Sequence, residues 1–225
     1  AFWEGLATLK ADWKMEKDDL RTFMSTSVAL AISRDADGPP FSQKATAFWE
    51  GLEKLKADYN MEKADLCTFM CDSVAVAISG DEAKATAFWE GLATLKADWK
   101  MEKADLRTFM SNSVAAAISG DEAKAAAFWD GLRLLQPHFT PSELAKFVCN
   151  GIASRLKKGM GPIIAAVVER LGAKKAKTVL TKQPLLRVLP EFVEYMSTMD
   201  DDALWSAIET PDKRKCMVEE LQAGK

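Results

Sequence analysis

A six-residue phrase, Ala-Phe-Trp-Glu-Gly-Leu, recurs along the chain and divides it into units. It begins at residues 1, 47 and 87, and returns at residue 127 with Asp in place of Glu. The last two intervals are 40 residues each, and the first is 46 because residues 34–44 form a longer junction. A fixed period of this length is typical of stacked helical repeats, in which each unit buries its apolar face against its neighbours.

The third unit shows most clearly what each repeat contains. Apolar residues fall at helical spacing on one face of residues 81–98, and again from Leu106 to Ile118 within residues 101–119. The spacing predicts one helix over each range, and no stretch of the sequence shows the sustained period-two alternation of a strand. We therefore expect an all-α fold, a right-handed α-solenoid of about four helix-hairpin repeats.

The repeats are expected to give way to a different helical segment near residue 172. In the fourth repeat, Thr140 followed by Pro141 predicts a helix start. A divergent end that covers the last apolar face is what a stacked array requires. The predicted boundaries are 1–46, 47–86, 87–126 and 127–172 for the repeats, and 173–225 for a divergent C-terminal helical cap. Because the sequence begins in what is elsewhere the middle of a repeat, we expect a fragment or processed form of a longer protein.

One glycine recurs inside the first helix of every repeat. A mid-helix glycine costs about 1 kcal/mol relative to alanine, so its recurrence predicts that a neighbouring helix approaches closely. The positions are Gly5, Gly51, Gly91 and Gly131.

Aromatic residues occupy two recurrent places in the repeat. The Phe-Trp pair, Phe48 and Trp49 in the second repeat, lies on the apolar face of the first helix and is expected in the core. A second aromatic lies near the turn that follows this helix, at Trp13, Tyr59 and Trp99. We expect this second set to be half exposed.

Composition excludes several classes of protein. With 48% hydrophobic and 28% charged residues, the chain is too apolar for a disordered segment. The longest apolar run, near residues 162–168, is far shorter than the ~20 residues of a membrane helix, so no transmembrane segment is predicted. The four cysteines do not have the pattern of a disulfide framework. We expect buried thiols in an intracellular, reducing compartment, with the cytosol, the nucleus and an organelle such as the plastid all left open.

Residues that could perform catalysis or bind a metal are sparse. Cys67 and Cys71 lie four apart, yet zinc would need two more ligands, and His138 is the one histidine. Nucleotide-binding loops, nucleophile elbows and zinc-protease helices have no match in the sequence. Residues 200–202 are three aspartates that could bind a cation, although capping of the helix that follows is the simpler interpretation. The sequence therefore predicts a protein that is not an enzyme, with no catalytic, metal or cofactor site and no cofactor.

Charge is segregated along the chain, although the net charge is only −3. Residues 131–189 contain 11 lysines and arginines against 2 acidic residues, whereas residues 1–130 contain 15 against 22. The basic segment predicts a patch that faces nucleic acid, an acidic protein or lipid headgroups. The alternative is a solvated face that the acidic repeats neutralise. The candidate anion- or partner-binding residues are Arg155, Lys157, Lys158, Arg170, Lys174, Lys175, Lys177, Lys182 and Arg187.

The second and third repeats match at 31 of 40 positions, and their differences avoid the apolar stripe of the second helix. Residues at the edges of that stripe could read a partner one position at a time. The alternative is neutral drift at exposed sites after duplication. The candidate variable edge contacts are Arg21, Cys67 and Arg107 on one flank, and Thr26, Asp72, Asn112 and Asn150 on the other.

Two stretches of the fourth repeat resemble repeats of known kinds. Residues 147–156, Phe-Val-Cys-Asn-Gly-Ile-Ala-Ser-Arg-Leu, resemble uncharacterised algal and protist αα tandem-repeat proteins; this resemblance covers all four repeats and implies no known activity. Residues 139–144, Phe-Thr-Pro-Ser-Glu-Leu, are loosely similar to TAL-effector-type DNA-binding repeats, which are shorter and lack the Phe-Trp helix. The second likeness implies architecture alone.

These features favour a non-catalytic α-solenoid scaffold or linker that mediates protein–protein contacts within a larger assembly, since stacked helices present long, regular surfaces. Other protein subunits are the expected partners. The alternative is a nucleic-acid-binding repeat protein that uses the basic segment 131–189. Salt-dependent affinity for a polyanion would distinguish the two functions.

Overall fold

The computed structural model describes residues 2–24, 28–29, 42–80, 82–148, 150–181 and 184–223. Within these ranges every regular element is helical, which confirms the all-α prediction. The chain forms two compact units, Ala1–Asp121 and Glu122–Lys225. The predicted residues Thr26, Cys149 and Lys182 lie outside the described residues, as does the side chain of Asn150.

The second and third repeats of the first unit have one order of helices: a long helix followed by two short ones. The long helix predicted over residues 81–98 is observed as Glu82–Ala97, which confirms the prediction. The described helices of this unit are α1 Phe2–Ala11, α2 Lys17–Phe23, α3 Ser42–Tyr59, α4 Lys63–Phe69, α5 Asp72–Ile78, α6 Glu82–Ala97, α7 Lys103–Phe109 and α8 Asn112–Ile118.

The prediction of one continuous helix over residues 101–119 was wrong. The chain leaves the helix at Met110, where ψ is 116°, and begins again after Ser111, which is extended at φ −139° and ψ 168°. The hydroxyl oxygen of Ser111 accepts a hydrogen bond from the Val114 amide at 3.4 Å, as an N-cap does. Met110 and Val114 are both buried, so the apolar stripe continues across the break. The repeat therefore contains three helices and is not a hairpin.

In the first unit, short helices at the same position of successive repeats contact one another. Helix α4 packs against both α2 and α7, and α5 packs against α8. The long helix α6 packs against α5 of the preceding repeat and α8 of its own. Within the first unit, each repeat thus packs its helices against those of the next repeat along the chain.

In the first three repeats, the turn that joins the long helix to the first short one has a left-handed residue at the same position. Lys14, Asn60 and Lys100 have φ values of 50°, 50° and 52°, in the left-handed region. Asparagine tolerates this conformation better than lysine because its short polar side chain bonds locally to the backbone.

Lys100→Asn is therefore expected to raise the free energy of unfolding of the first unit by about 0.5 kcal/mol. The reciprocal change, Asn60→Lys, should lower it by a similar amount. Urea unfolding followed by circular dichroism measures both. A stabilisation by lysine at either position would contradict this interpretation of the turn.

The second unit begins with a repeat of the same kind and continues into shorter helices. Thr140 caps α10 through a reciprocal pair of hydrogen bonds with Glu143, which confirms the helix start predicted at Thr140 and Pro141. Asp200 accepts a hydrogen bond from the Ala203 amide at 2.8 Å, so it caps the helix that follows. The helices are α9 Glu122–Leu135, α10 Pro141–Phe147, α11 Asn150–Leu156, α12 Gly161–Leu171, α13 Ala173–Leu180, α14 Leu189–Ser197, α15 Asp201–Ile208 and α16 Pro211–Gln222, with 3₁₀ turns at Gln136–His138 and Pro184–Arg187.

The recurrent glycines mark close helix contacts wherever the contact is described. A Cβ atom on Gly51 would lie 3.2 Å from the Trp89 ring and 3.3 Å from Ile78 Cβ. A Cβ atom on Gly131 would lie 3.2 Å from the Cα atom of Gly161, where α9 crosses α12. The predicted close approach is confirmed at these two positions.

The aromatic pair of the long helix and the aromatic residue of the following turn do not differ in burial as expected. The core position predicted for the Phe-Trp pair is confirmed at Phe48, which is fully buried, and was wrong at Trp49, which is partly exposed. The prediction that the turn aromatics are half exposed was wrong, because Trp13, Tyr59 and Trp99 are only 5%, 8% and 7% exposed. For Trp13 and Tyr59 the cover is a lysine from the next repeat, as described below.

Candidate interaction surfaces

Asp65 is a carboxylate of the first unit with several bonding partners. It lies at the third position of α4, and its side chain accepts a hydrogen bond from the Glu62 amide at 3.1 Å, which closes the helix start. Two cations of the next repeat reach it: Lys103 Nζ at 2.8 Å from Oδ2 and Arg107 Nη1 at 2.6 Å from Oδ1. The Asp65 side chain is only 9% exposed. One buried carboxylate therefore joins two repeats.

Two opposing effects act on the pKa of Asp65. Burial raises it, while the hydrogen bonds from Lys103, the Glu62 amide and Arg107 lower it, and the net result is a pKa below the ordinary 3.8. The folded unit therefore binds this proton less readily than the unfolded chain does.

We accordingly expect this carboxylate to stabilise the first unit fully above about pH 5, and less as the pH falls through 3.8 towards its lower folded pKa. Asp65→Asn should reduce the difference in unfolding free energy between about pH 7 and about pH 3. Urea unfolding at the two pH values, on both proteins, measures it. An unchanged pH dependence in Asp65→Asn would contradict the assignment.

The junction between the first two repeats has the same arrangement with one cation fewer. Lys63 Nζ lies 3.0 Å from Asp19 Oδ2, and Asp19 also accepts a hydrogen bond from the Glu16 amide. The Glu16 amide and then Lys63 lower the pKa of Asp19. At the position of Arg107 this junction has Cys67, whose Sγ lies 3.7 Å from the Asp19 carbonyl oxygen.

A second lysine links the second repeat to the turn of the first, and its equivalent links the third repeat to the turn of the second. Lys56 Nζ lies 5.0 Å from the centre of the Trp13 ring and 3.5 Å from the Asp12 carbonyl oxygen. Lys96 Nζ lies 5.2 Å from the Tyr59 ring and donates to the Asp58 carbonyl at 2.6 Å. Such a cation–π contact stabilises by about 0.5–1 kcal/mol at exposed sites.

The strained turn residue takes part in the same junction through its carbonyl group. Lys63 Nζ approaches the Lys14 carbonyl oxygen at 3.4 Å, and Lys103 Nζ approaches the Asn60 carbonyl oxygen at 3.2 Å. The left-handed conformation thus belongs to the surface that receives the next repeat.

The predicted variable edge contacts divide between internal contacts and exposed positions. Cys67 and Arg107 contact the preceding repeat, as described above. Asn112 Oδ1 accepts a hydrogen bond from the Ser73 amide at 3.0 Å, at the start of α5, so it also joins two repeats. Arg21 and Asp72 are exposed. Three candidates from the two flanks therefore lie at repeat junctions.

Neither cysteine of the second repeat has the chemistry of a reactive thiol. Burial raises the pKa of both Cys67 and Cys71 above the ordinary value, so the thiol form is favoured. In the part of the chain that the structure describes, no three histidine, cysteine or acidic side chains come together as a metal site.

Several predicted basic residues of the second unit already have partners within it. Arg170 lies 2.9 Å from Asp201 Oδ1 and donates to the Met199 carbonyl at 2.7 Å. Lys175 Nζ lies 4.6 Å from the centre of the Trp205 ring. These two cations thus bind the C-terminal helices of their own unit.

The other basic candidates differ in exposure. Lys177 is partly exposed, and its charge lowers the pKa of Glu143 after the hydrogen bonds from Thr140 and the charge of Lys146. Arg155 and Lys157 are partly exposed, and Lys158, Lys174 and Arg187 are exposed.

An acidic face recurs on the long helices. A shallow groove along one side of α6 is lined by Glu82, Ala83, Thr86, Ala87 and Glu90. Both carboxylates are exposed, and only small side chains separate them. At the corresponding positions of α9 the chain has Glu122, Ala126 and Asp130, all exposed. We call this face of α6 the acidic groove.

Comparison of the chain with protein-family models, with curated proteins and with solved structures finds no match. Among the residues described here, no helix is long and apolar enough to cross a membrane.

Sequence reasoning did not single out Asp65, Lys63 or Lys103, which form the junctions between repeats. The available signal was the segment Met-Glu-Lys-Ala-Asp-Leu, which is identical in the second and third repeats. It pairs a helix-capping acid with a lysine two residues before it. Invariant charged residues beside an apolar stripe are candidates for contacts between copies.

Proposed function

We propose that this protein is a non-catalytic, right-handed α-solenoid scaffold, and that it mediates protein–protein contacts within a larger assembly. The observation that supports it is the junction between repeats, where a lysine bound to an aspartate of the preceding repeat recurs at Lys63–Asp19 and Lys103–Asp65. These lysines and aspartates, which recur at the same positions of the repeats, therefore join one repeat to the next. The surface that remains available to partner proteins is the solvent-exposed side of the stacked helices.

The acidic groove of α6 is the part of that face best suited to another protein. Its lining alternates exposed carboxylates with alanine and threonine, so a partner helix can approach closely while its lysines or arginines pair with Glu82 and Glu90. A basic helical segment of another subunit is the partner that fits this chemistry.

A photo-crosslinking experiment tests the protein-partner function. Benzoylphenylalanine at Thr86, in the acidic groove, is compared with the same group at the exposed Ala104 of α7 in the full-length protein in its own cells. We expect Thr86 to capture a defined protein at least about tenfold more than Ala104 does, and Glu82→Lys/Glu90→Lys to abolish the product. Equal capture at both positions would contradict the proposal.

The alternative, nucleic-acid binding, has less support from the basic segment than its +9 charge suggested. Arg170 and Lys175 have partners within the second unit, which removes two of the predicted phosphate contacts. Fewer free cations mean weaker and less salt-dependent binding to a polyanion.

We expect no binding to short DNA or RNA at ~50 mM salt when fluorescence anisotropy is measured. Binding below about 1 μM that weakens steeply with salt would favour the alternative instead. In that case Lys157→Gln/Lys158→Gln/Lys174→Gln should abolish the binding, whereas the matched change of three lysines of the first unit, Lys14→Gln/Lys84→Gln/Lys100→Gln, should not.

A further inference from the structure

The first repeat carries an exposed copy of the surface that the later repeats use for stacking. In the second and third repeats, the lysines at Lys56 and Lys96 cover the preceding turn, and those at Lys63 and Lys103 bind the preceding aspartate. The equivalent residues of the first repeat are Lys10 and Lys17. Both side chains are exposed.

The third member of the set strengthens the correspondence. Arg107 binds Asp65 at 2.6 Å, while the second repeat has Cys67 at the equivalent position. The first repeat has Arg21 there, so its exposed edge matches the third repeat, which makes the more extensively bonded junction. Arg21 is exposed as well.

We propose that Lys10, Lys17 and Arg21 form a docking edge for another repeat of the same kind. The receiving edge is defined by the junctions of this chain: a buried helix-capping aspartate, the carbonyl of a left-handed turn residue and an aromatic ring. Asp65, Asn60 and Tyr59 are one such set. Complementary charge and continuity with the existing junctions both identify this occupant. The inference rests on the proposed solenoid and names a partner for the edge that these three side chains form.

The docking edge fits a folded repeat better than it fits a simple anion. In the existing junctions each lysine also approaches a backbone carbonyl oxygen, at 3.5 Å for Lys56 and 2.6 Å for Lys96. A phosphate or a free carboxylate supplies neither that carbonyl nor the ring beneath the lysine. A folded repeat supplies all of these groups in one arrangement.

An in-register extension of the chain tests the proposal. Residue 86 is normally followed by Ala-Phe-Trp-Glu-Gly-Leu, the same phrase that begins at residue 1. A copy of residues 47–86 joined ahead of Ala1 therefore keeps the phase of the repeats and places a copy of Asp65 before Lys17 and Arg21. The measurement is hydrogen exchange of the amides of α2, with and without the added repeat.

We expect the added repeat to slow exchange in α2 roughly tenfold or more, because α2 then opens only when a further junction opens. Lys17→Gln/Arg21→Gln should remove most of this effect. The matched variant Lys54→Gln/Lys84→Gln removes two charges from exposed positions elsewhere in the unit and should retain the effect.

Two results would overturn the docking edge. One is exchange in α2 that the added repeat leaves unchanged. The other is an effect of the added repeat that survives in full in Lys17→Gln/Arg21→Gln, since the cations would then have no part in it. Neither result bears on the crosslinking at Thr86, which uses the chain without an extension, so failure of this inference and failure of the proposed function are separable.

Discussion

Gly161→Ala is expected to lower the free energy of unfolding of the second unit by about 3 kcal/mol. A Cβ atom at this position would lie 2.5 Å from the Cα atom of Gly131 and 3.3 Å from its amide nitrogen, where α12 crosses α9. Both contacts are to backbone, so no side chain can rotate away and the two helices must separate. Thermal unfolding should show a decrease in Tm of roughly 10 °C.

Gly151→Ala is the matched control for this change. Both substitutions add one methyl group, and alanine is favoured over glycine in a helix by up to about 1 kcal/mol. At Gly151 the added atom would meet only Leu186 Cδ1, at 3.0 Å, the end of a side chain that can move. We expect a change of less than about 1 kcal/mol. Equal losses in the two variants would contradict the helix crossing described here.

Asp65→Asn is expected to destabilise the first unit by about 2 kcal/mol at pH 7. The amide oxygen can still accept the hydrogen bond from the Glu62 amide, but Lys103 and Arg107 lose their carboxylate. The loss stays below that of a fully buried ion pair because these two cations, 35% and 37% exposed, regain water when the pair is broken. Urea unfolding gives the value.

The double variant Asp65→Asn/Lys103→Gln separates the junction from a local effect on α4. If Asp65 acts through the next repeat, the two single losses sum to more than the loss of the double variant. Additive losses would mean that Asp65 serves only to start its own helix. Asp19→Asn, where a single lysine of the next repeat is bound, should cause a smaller loss.

The long helices could be predicted from the sequence because the residues that start and end them and the apolar residues between them indicate the same helical range. The prediction failed at the break between Met110 and Ser111, because the apolar stripe continues with helical spacing across an extended link of two residues. The signal was present in the segment Ser111-Asn112-Ser113, since serine and asparagine favour the start of a helix over its interior.

Contacts between repeats could not be predicted from the pattern within a single repeat. Trp13 and Tyr59 were expected to be half exposed, yet Lys56 and Lys96 of the following repeats lie over their rings. Arg107 was predicted as a variable edge contact, and its partner is Asp65 of the preceding repeat. Periodicity shows which face of a helix is apolar, but it does not show which copy of a charged residue lies opposite.

Removal of one whole repeat tests the stacked architecture most directly. A chain in which residue 46 is followed by residue 87 keeps the repeat phase, because Ala-Phe-Trp-Glu-Gly-Leu begins at both 47 and 87. In the shortened protein, Lys103 and Arg107 would meet Asp19 in place of Asp65. If identical junctions join the repeats, far-ultraviolet circular dichroism per residue should be unchanged and unfolding should remain cooperative. Loss of helical signal with binding of a hydrophobic dye would show that the repeats are not interchangeable units, and would contradict the account.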